Sequence, residues 1–440
     1  MSVAVTGFKF NQAVIETLDG SKKVDITNSI LFADYFEDIL SPCVTMTIQL
    51  MNSSSLFNIL PIRGGERISI SLETVFGRFE LDGNKSMYVY KVGNIMAEST
   101  NEMLTLHLVS REGLTNETNR CLKRYEGNIK DTVIDILDNV LMTDKYEEKN
   151  IEKTANSYVF IGNQKKPFHI LTWLCPKSVP ASTQRAGTQK GNNAEAKGVA
   201  GFLFFENQDG FNFRSMESLV APTQIEISSS DKKDIQRYIY TQKVIESNVK
   251  GNERKILNYN FEKNIDLMKS LRVGMYSNKT YFFDLYENRL DAITYKLKDQ
   301  IQNKLGINDI SVSKEFGDSV SRVLVRTSDR GVLPKLGLSE PSGRDNADMA
   351  KSFSRYNLLF TQALNMVVPC NPTLKVGDII YAEFPRIERS DKKQIDEEQS
   401  GNYLIKELRH HFEGGQLVTS LKLIRDSYGL YGSNNVWLSQ

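Results

Sequence analysis

The sequence predicts an α+β fold dominated by β structure: two antiparallel β-barrel or sandwich domains with peripheral α/β domains. Three observations carry this reading. Strands with period-two alternation crowd both ends of the chain. Helical spacing of apolar residues is confined to segments between them. The end of the first β-rich region also shares its layout with the end of the chain, as an internal repeat would.

Within the first β-rich region, "VTMTIQL" (44–50) alternates and is rich in β-branched residues, and "SSLFNILP" (54–61) reads as a short helical turn. Gly64 and Gly65 make a turn into "ERISISLETVF", where Ile68, Ile70 and Leu72 share a face. "MYVYKVGNIMA" (87–97) and "EMLTLHLVSRE" (102–112) form a hairpin joined by polar residues. The pattern changes near residue 116. In "NIKDTVIDILDNVLM" (128–142), Ile129, Val133, Ile136, Leu137, Val140 and Leu141 sit at helical spacing behind Asn128 as N-cap. "KPFHILTWLCPKSV" (166–179) is a second helix, with Pro167 tolerated in its first turn.

The polar, aperiodic stretch at about 180–200 reads as a long flexible loop. "GFLFFENQDGFNFRSM" (201–216) follows as an aromatic hairpin turning at Asp209–Gly210. Residues 256–286 read as strand-rich. "RLDAITYKLKDQIQNKLG" (289–306) reads as a helix, with Leu290, Ile293, Leu297, Ile301 and Leu305 on one face. "SRVLVRTS" (321–328) is a strand, "ADMAKSFSRYNLLFTQ" (347–362) a helix and "ALNMVVP" (363–369) a strand. Three more strands complete the chain: "VGDIIYAEFP", "GNYLIKELRHHF" and "QLVTSLKLIRD". The charged segment 386–401 between the first two reads as a solvent-exposed loop.

The repeat can be written residue by residue. Gly65-Glu66 opens a strand with Ile68, Ile70 and Leu72; Gly377-Asp378 opens one with Ile380, Ala382 and Phe384. Tyr88 to Leu106 and Tyr403 to Leu421 then run without gaps, so that Lys91 meets Lys406, Glu98 meets Glu413 and Leu108 meets Leu423. Two generic antiparallel hairpins would also produce this match. A true duplication has a consequence for symmetry, because two similar units per chain in a closed ring present twice as many similar faces as there are chains.

Bulk composition excludes several classes. With 55 basic and 54 acidic residues the net charge is +1, which gives no bulk attraction to nucleic acid or anionic membrane. Cys43, Cys121, Cys175 and Cys370 lie far apart and form no C-x-x-C pair, so reduced thiols are expected. The N-terminus has no signal-peptide pattern, and no apolar run approaches the ~20 residues that span a bilayer. The length fits roughly two to four domains.

The segment "SRYNLLFTQALNMVVPCNPTLKVGDII" (354–380) brings a resemblance. Helix, apolar strand, Val368-Pro369, a small turn, Asn371, then Leu374-Lys375-Val376-Gly377-Asp378 resembles the pattern in baseplate hub proteins of contractile-tailed, T-even-like bacteriophages. Cys370 stands where that turn normally carries glycine. The aromatic hairpin 201–219 and its preceding helix, "MYSNKTYFFDLY" and the C-terminal strands also fit the family, which is related to the base of the type VI secretion spike.

The resemblance implies a virion protein of the tail baseplate, assembled in the host cytoplasm. It would be a homotrimer whose two tube-like domains per chain make a pseudo-sixfold ring between a sixfold tail tube and a threefold central spike. Its partners would be itself, the tube, the spike, baseplate wedge proteins and DNA passing without specific binding, with no membrane and no cofactor. On this reading the first tube-like domain covers residues 1–115, and a peripheral α/β domain covers 116–230. The second tube-like domain is split between 231–290 and 350–430 around an inserted domain at 291–349, and 431–440 is a tail. The residues expected at the tube-domain strands and inter-subunit edges are Ile68, Ile70, Leu72, Leu106, Leu108, Ile380, Phe384, Leu421 and Leu423. The turn motif is Pro369, Asn371, Gly377 and Asp378.

The sequence nominates no catalytic, cofactor-binding or metal-ligating residue. It contains no His-Glu-x-x-His, no Gly-x-Ser-x-Gly and no phosphate-cradling glycine loop. His169 and Cys175 are six apart on a helix and so lie off one face. A carboxylate pair for glycoside hydrolysis stays open on composition, so a tail-associated cell-wall hydrolase is the alternative, with a host-binding adhesion module as the third reading. The adjacent His410 and His411, in a chain with four histidines, read as strand-end neighbours pointing to opposite faces, an arrangement unsuited to chelating one ion.

Overall fold

The computed structural model describes residues 9–17, 19–52, 60–74, 76–98, 101–181, 200–220, 235–240, 254–263, 266–285, 287–297, 304–306, 312–329, 331–332, 346–386, 395–414 and 416–429. The first region holds β1 (Lys9–Glu16), β2 (Lys23–Asp25), β3 (Ile30–Asp38), β4 (Thr45–Asn52), β5 (Arg67–Thr74), β6 (Gly77–Leu81), β7 (Met87–Glu98) and β8 (Asn101–Ser110). Helix α1 (Arg111–Thr118) leads into a mixed region. This contains β9 (Arg124–Tyr125), α2 (Ile129–Ile136), β10 (Tyr146–Ile151), β11 (Phe160–Ile161), α3 (Pro167–Leu174), β12 (Phe202–Asn207), β13 (Gly210–Ser215) and α4 (Met216–Val220). Next come β14 (Gln236–Ile239), β15 (Asn258–Lys263), α5 (Leu267–Arg272), β16 (Ser277–Asp284), β17 (Arg289–Lys296), α6 (Lys314–Asp318) and β18 (Arg322–Thr327). The chain ends with α7 (Asn346–Leu359), β19 (Gln362–Pro369), β20 (Ile379–Glu383), β21 (Gly401–Glu413) and β22 (Gln416–Arg425).

The mainly-β α+β class read from the sequence is what the chain adopts. The two β regions, however, do not close into separate barrels. They share one sheet whose path runs β15-β19-β22-β21-β3-β4-β8-β7-β5-β1-β2, with β20, β14 and β6 attached beside it. The reason lies at the join. The edge of β3, which would have to meet β7 to close the first unit, is occupied by β21 from the end of the chain.

Alternation explains both faces of this sheet. Met46, Ile48 and Leu50 on β4 and Leu104, Leu106 and Leu108 on β8 fill one contiguous core together with Leu364, Met366, Leu421 and Leu423 from the other end of the chain. Residues at the intervening positions face away from that core and are mostly polar. The mixed region has its own core, in which Val133 and Ile136 of α2 and Leu137 just beyond it pack with Leu171, Phe204, Phe211 and Phe213. Its local features follow the sequence. Asn128 caps α2 by accepting from the Lys130 N–H at 3.0 Å, Pro167 opens α3, and β12 pairs antiparallel with β13.

One expectation fails. Residues 289–296 form strand β17, paired along its length with β16, where a helix was expected. The spacing of Leu290, Ile293 and Leu297 suits a helix, but Ile293-Thr294-Tyr295 is a run of strand formers, and pairing to β16 decides the outcome. Leu290 accordingly points into solvent, while Tyr295 on the opposite face is buried. The remainder of the expected helix lies largely outside the described residues, as do "SSLFNILP" (except Leu60 and Pro61) and the loop near 180–200. β16 pairs with β17 and β18 in a three-stranded sheet of their own, apart from the large sheet.

Candidate assembly surface

The sheet contains the same arrangement twice. The first unit reads β3-β4-β8-β7 with β5 beside the start of β7; the second reads β15-β19-β22-β21 with β20 beside the start of β21. Every neighbouring pair in both is antiparallel. The hairpins close at equivalent positions, Glu98 opposite Asn101 and Glu413 opposite Gln416. β8 and β22 each have ten residues, and the same shift relates them throughout.

The turn entering each unit is also repeated. Gly65 and Gly377 both have positive φ, 95° and 85°. Gly65 donates to the Val89 carbonyl while Val89 donates back to Glu66, and Gly377 and Asp378 bracket Ile405 in the same way. A side chain at Gly377 would place its Cβ 3.0 Å from the Phe205 ring.

One part of the sequence register needs correcting. Through their β8 and β22 partners, Lys91 is equivalent to Glu407 rather than Lys406, and Tyr88 to Leu404 rather than Tyr403. β7 carries one additional residue between Gly93 and Met96, and a gapless comparison cannot see it. Beyond that bulge, Met96 is equivalent to His411, as the sequence register has it.

The nine residues expected at the edges all sit in the core, none more than 2% exposed: Ile68, Ile70, Leu72, Leu106, Leu108, Ile380, Phe384, Leu421 and Leu423. Their side chains hold the sheet's inner face. The turn motif is structural as well. Asn371 donates from Nδ2 to Gln236 Oε1 (2.6 Å) and the Tyr238 hydroxyl (3.0 Å), and its own carbonyl oxygen Oδ1 accepts from the Thr373 N–H (3.1 Å). Pro369 ends β19, and the Asp378 carbonyl accepts from the Ile405 N–H. Cys370 is buried and keeps an ordinary backbone conformation outside the positive-φ region, so this turn does not need glycine there.

The two units meet inside the chain where β21 pairs with β3. Alternation splits the histidine pair at this seam. His410 is buried against Tyr35, Phe79 and Phe412, with Nδ1 2.8 Å from Thr419 Oγ1, and burial pushes its imidazole down to about 3. His411 faces the polar side, where its Nδ1 lies 2.7 Å from Asp34 Oδ1. Arg409 grips the same carboxylate with two bonds, 2.9 and 2.8 Å. Asp34 therefore ties two strands that are 375 residues apart in sequence.

Glu37, also on β3, ties the sheet to the mixed domain. Its carboxylate accepts from the N–H of Gln208 (2.7 Å) and of Val376 (2.9 Å) and from the Tyr35 hydroxyl (2.9 Å). Burial pushes this carboxyl up to about 7. Glu206 makes a second tie, accepting from the Val44 N–H at 3.0 Å and the Ser110 hydroxyl at 2.7 Å and pairing with Lys145. None of these residues stands out in the sequence. The one available signal was an acidic residue, Glu37, on the buried face of an apolar strand.

The polar face interleaves both signs. Lys91, His107, Thr47, Asp34 and His411 lie in one row across it. Lys422 lies 3.3 Å from Glu262 and 3.9 Å from Glu407. Among the described residues no group of three or more His, Cys, Asp or Glu could hold a metal ion. The Cys175 thiol is buried, pushed well above its usual range and bonded to the Leu171 carbonyl, while His169 is exposed.

No family model matches the chain. It is 22% identical over 445 residues to a probable baseplate hub protein of Vibrio phage KVP40, covering 96% of this chain and 95% of that protein. Its fold is shared with a tail protein from Neisseria meningitidis, at TM-score 0.52 and 11% identity over 96% of this chain and 98% of that one. A 43 kDa prophage tail protein from Shewanella oneidensis matches at TM-score 0.49 and 9% identity, over 95% of this chain and 99% of that one. The match to the Vibrio phage protein runs nearly the length of both sequences, so the chain is similar from end to end to a probable baseplate hub protein.

Proposed function

We propose that the chain is the structural hub of a contractile phage baseplate. It works as a homotrimer with pseudo-sixfold symmetry, adapting the sixfold tail tube to the threefold central spike and lining part of the DNA passage. The observation that supports this most is the duplicated four-strand unit. A chain that presents the same unit twice, side by side, gives a ring of three chains six similar faces. One face then meets a sixfold tube while the chain-level differences, such as the mixed and inserted domains, meet a threefold spike and the surrounding wedge proteins. The polar face would line the passage. Its interleaved charges, with a net charge of +1 for the whole chain, suit DNA that has to slide through without being held. The role is mechanical and the site of action is the virion, after assembly in the host cytoplasm.

The test is native mass measurement and negative-stain imaging of the purified chain, alone and with tube and spike proteins. Trimers with a pseudo-sixfold outline that cap tube ends are expected. A chain that stays monomeric with both partners present would refute the reading.

A further inference from the structure

The seam inside the chain is a template for a seam between chains. β21 meets β3 with Arg409 opposite Phe36, His410 opposite Tyr35 and His411 opposite Asp34. Each unit also has one such edge that pairs with nothing among the described residues: β7 beyond Val89, equivalent to β21, and the outer edge of β15, equivalent to β3. Unpaired strand edges are templates for further pairing.

The two free edges depart from their in-chain counterparts, and they do so at the same place. Traced through β8 and β22, β7 has two residues, Asn94 and Ile95, where β21 has His410 alone. Traced through β4 and β19, β15 has two residues, Phe261 and Glu262, where β3 has Tyr35 alone. His410 and Tyr35 face each other in the existing seam. Either extra residue alone would throw a strand pair out of register and flip its side chains to the wrong face. Opposite each other, they cancel.

We propose that β7 of one copy pairs antiparallel with β15 of a second copy, running from Gly93 opposite Lys263, through Met96 opposite Asn260, to Glu98 opposite Asn258. The pairing rests on the hub reading above and gives it an interface. Met96, Asn258 and Asn260 are exposed in the single chain, as an unfilled edge requires. The chemistry differs from the in-chain seam. Gly93, Met96 and Asn260 stand where Arg409, His411 and Asp34 form the ion cluster, so the seam between chains lacks that cluster. Salt therefore acts on it less than on the seam within the chain.

The experiment is disulfide trapping in the full chain. Met96→Cys with Asn260→Cys places thiols on opposed residues, about 4.5–5.5 Å apart at Cα in an antiparallel pair and within disulfide reach. Lys91→Cys with Asn258→Cys is the off-register control, and the single variants report the background from native thiols. Mild oxidation is expected to give a covalent trimer for the first pair only. If native mass shows trimers but the first pair does not cross-link, or the control cross-links equally, the proposed register is wrong while the trimeric hub stands. If only monomers form, in unmodified and variant chains alike, both fall.

Discussion

Glu37 should make the junction between the sheet and the mixed domain sensitive to pH, with a sign fixed by its burial. In the closed junction its carboxyl holds a proton up to about 7; released into water it titrates near the ordinary value of 4.5. Between those values the closed state binds the additional proton, so rising pH favours opening. The difference of about 2.5 units corresponds to ~3 kcal/mol, or roughly a 300-fold rise in the opening constant in all, of which about 80-fold falls between pH 4.5 and 7 and a further twofold above pH 7. The amides that report it are those of Gln208 and Val376, both bonded to Glu37. Hydrogen exchange by mass spectrometry, on peptides covering 205–209 and 374–379, reads their opening directly. This local readout suits a multidomain chain, for which a single global unfolding energy is poorly defined. Glu37→Gln has no titrating group and serves as the reference at each pH. Protection should fall with rising pH in the unmodified chain relative to that variant. Parallel profiles from pH 4.5 to 8 would refute the assignment, as would a slope of opposite sign.

Other outcomes are open to measurement. His410 has the opposite linkage: its folded value of about 3 lies below the ordinary 6.5, so stability is lost as pH falls below 6.5, by about 2 kcal/mol at pH 5. His410→Gln should flatten that acid limb in urea midpoints compared at each pH. Asp34→Ala leaves Arg409 and His411 without their carboxylate at a partly exposed seam, for an expected loss of about 1–2 kcal/mol. The difference between the two chains should shrink in 1 M salt. Gly377→Ala combines a positive φ with a Cβ against Phe205 and should lower stability by ~1–3 kcal/mol. Gly414→Ala meets nothing within 4 Å and is expected to stay within about 0.5 kcal/mol of the unmodified chain.

Much of the secondary structure was legible because the sheet is buried on one face. Alternation in "VTMTIQL" or "RISISLET" is the imprint of that half-burial on the sequence. The Asn128 cap, Pro167 at a helix start and the aromatic hairpin were readable because each rests on local chemistry within a few residues. β17 was not, since three- and four-residue apolar spacing is compatible with either element and only its partner β16 selects one. The duplication could be read from Gly65-Glu66 and Gly377-Asp378 and from the shared hairpin end, but the bulge in β7 could not, because an extra residue in one strand is defined only by the strand opposite.

The sequence alone therefore determined the fold class, most elements, the repeat and the resemblance to tail hubs. The tertiary structure decided how the two units are arranged. That β21 rather than β7 lies against β3, that Asp34 is the seam's anchor, and that, among the described residues, the far edge of β7 and the outer edge of β15 carry no partner strand all depend on backbone hydrogen bonds between segments hundreds of residues apart. Backbone groups are the same in every residue, so the side-chain pattern records which face of a strand is buried and leaves its neighbour along the edge unspecified.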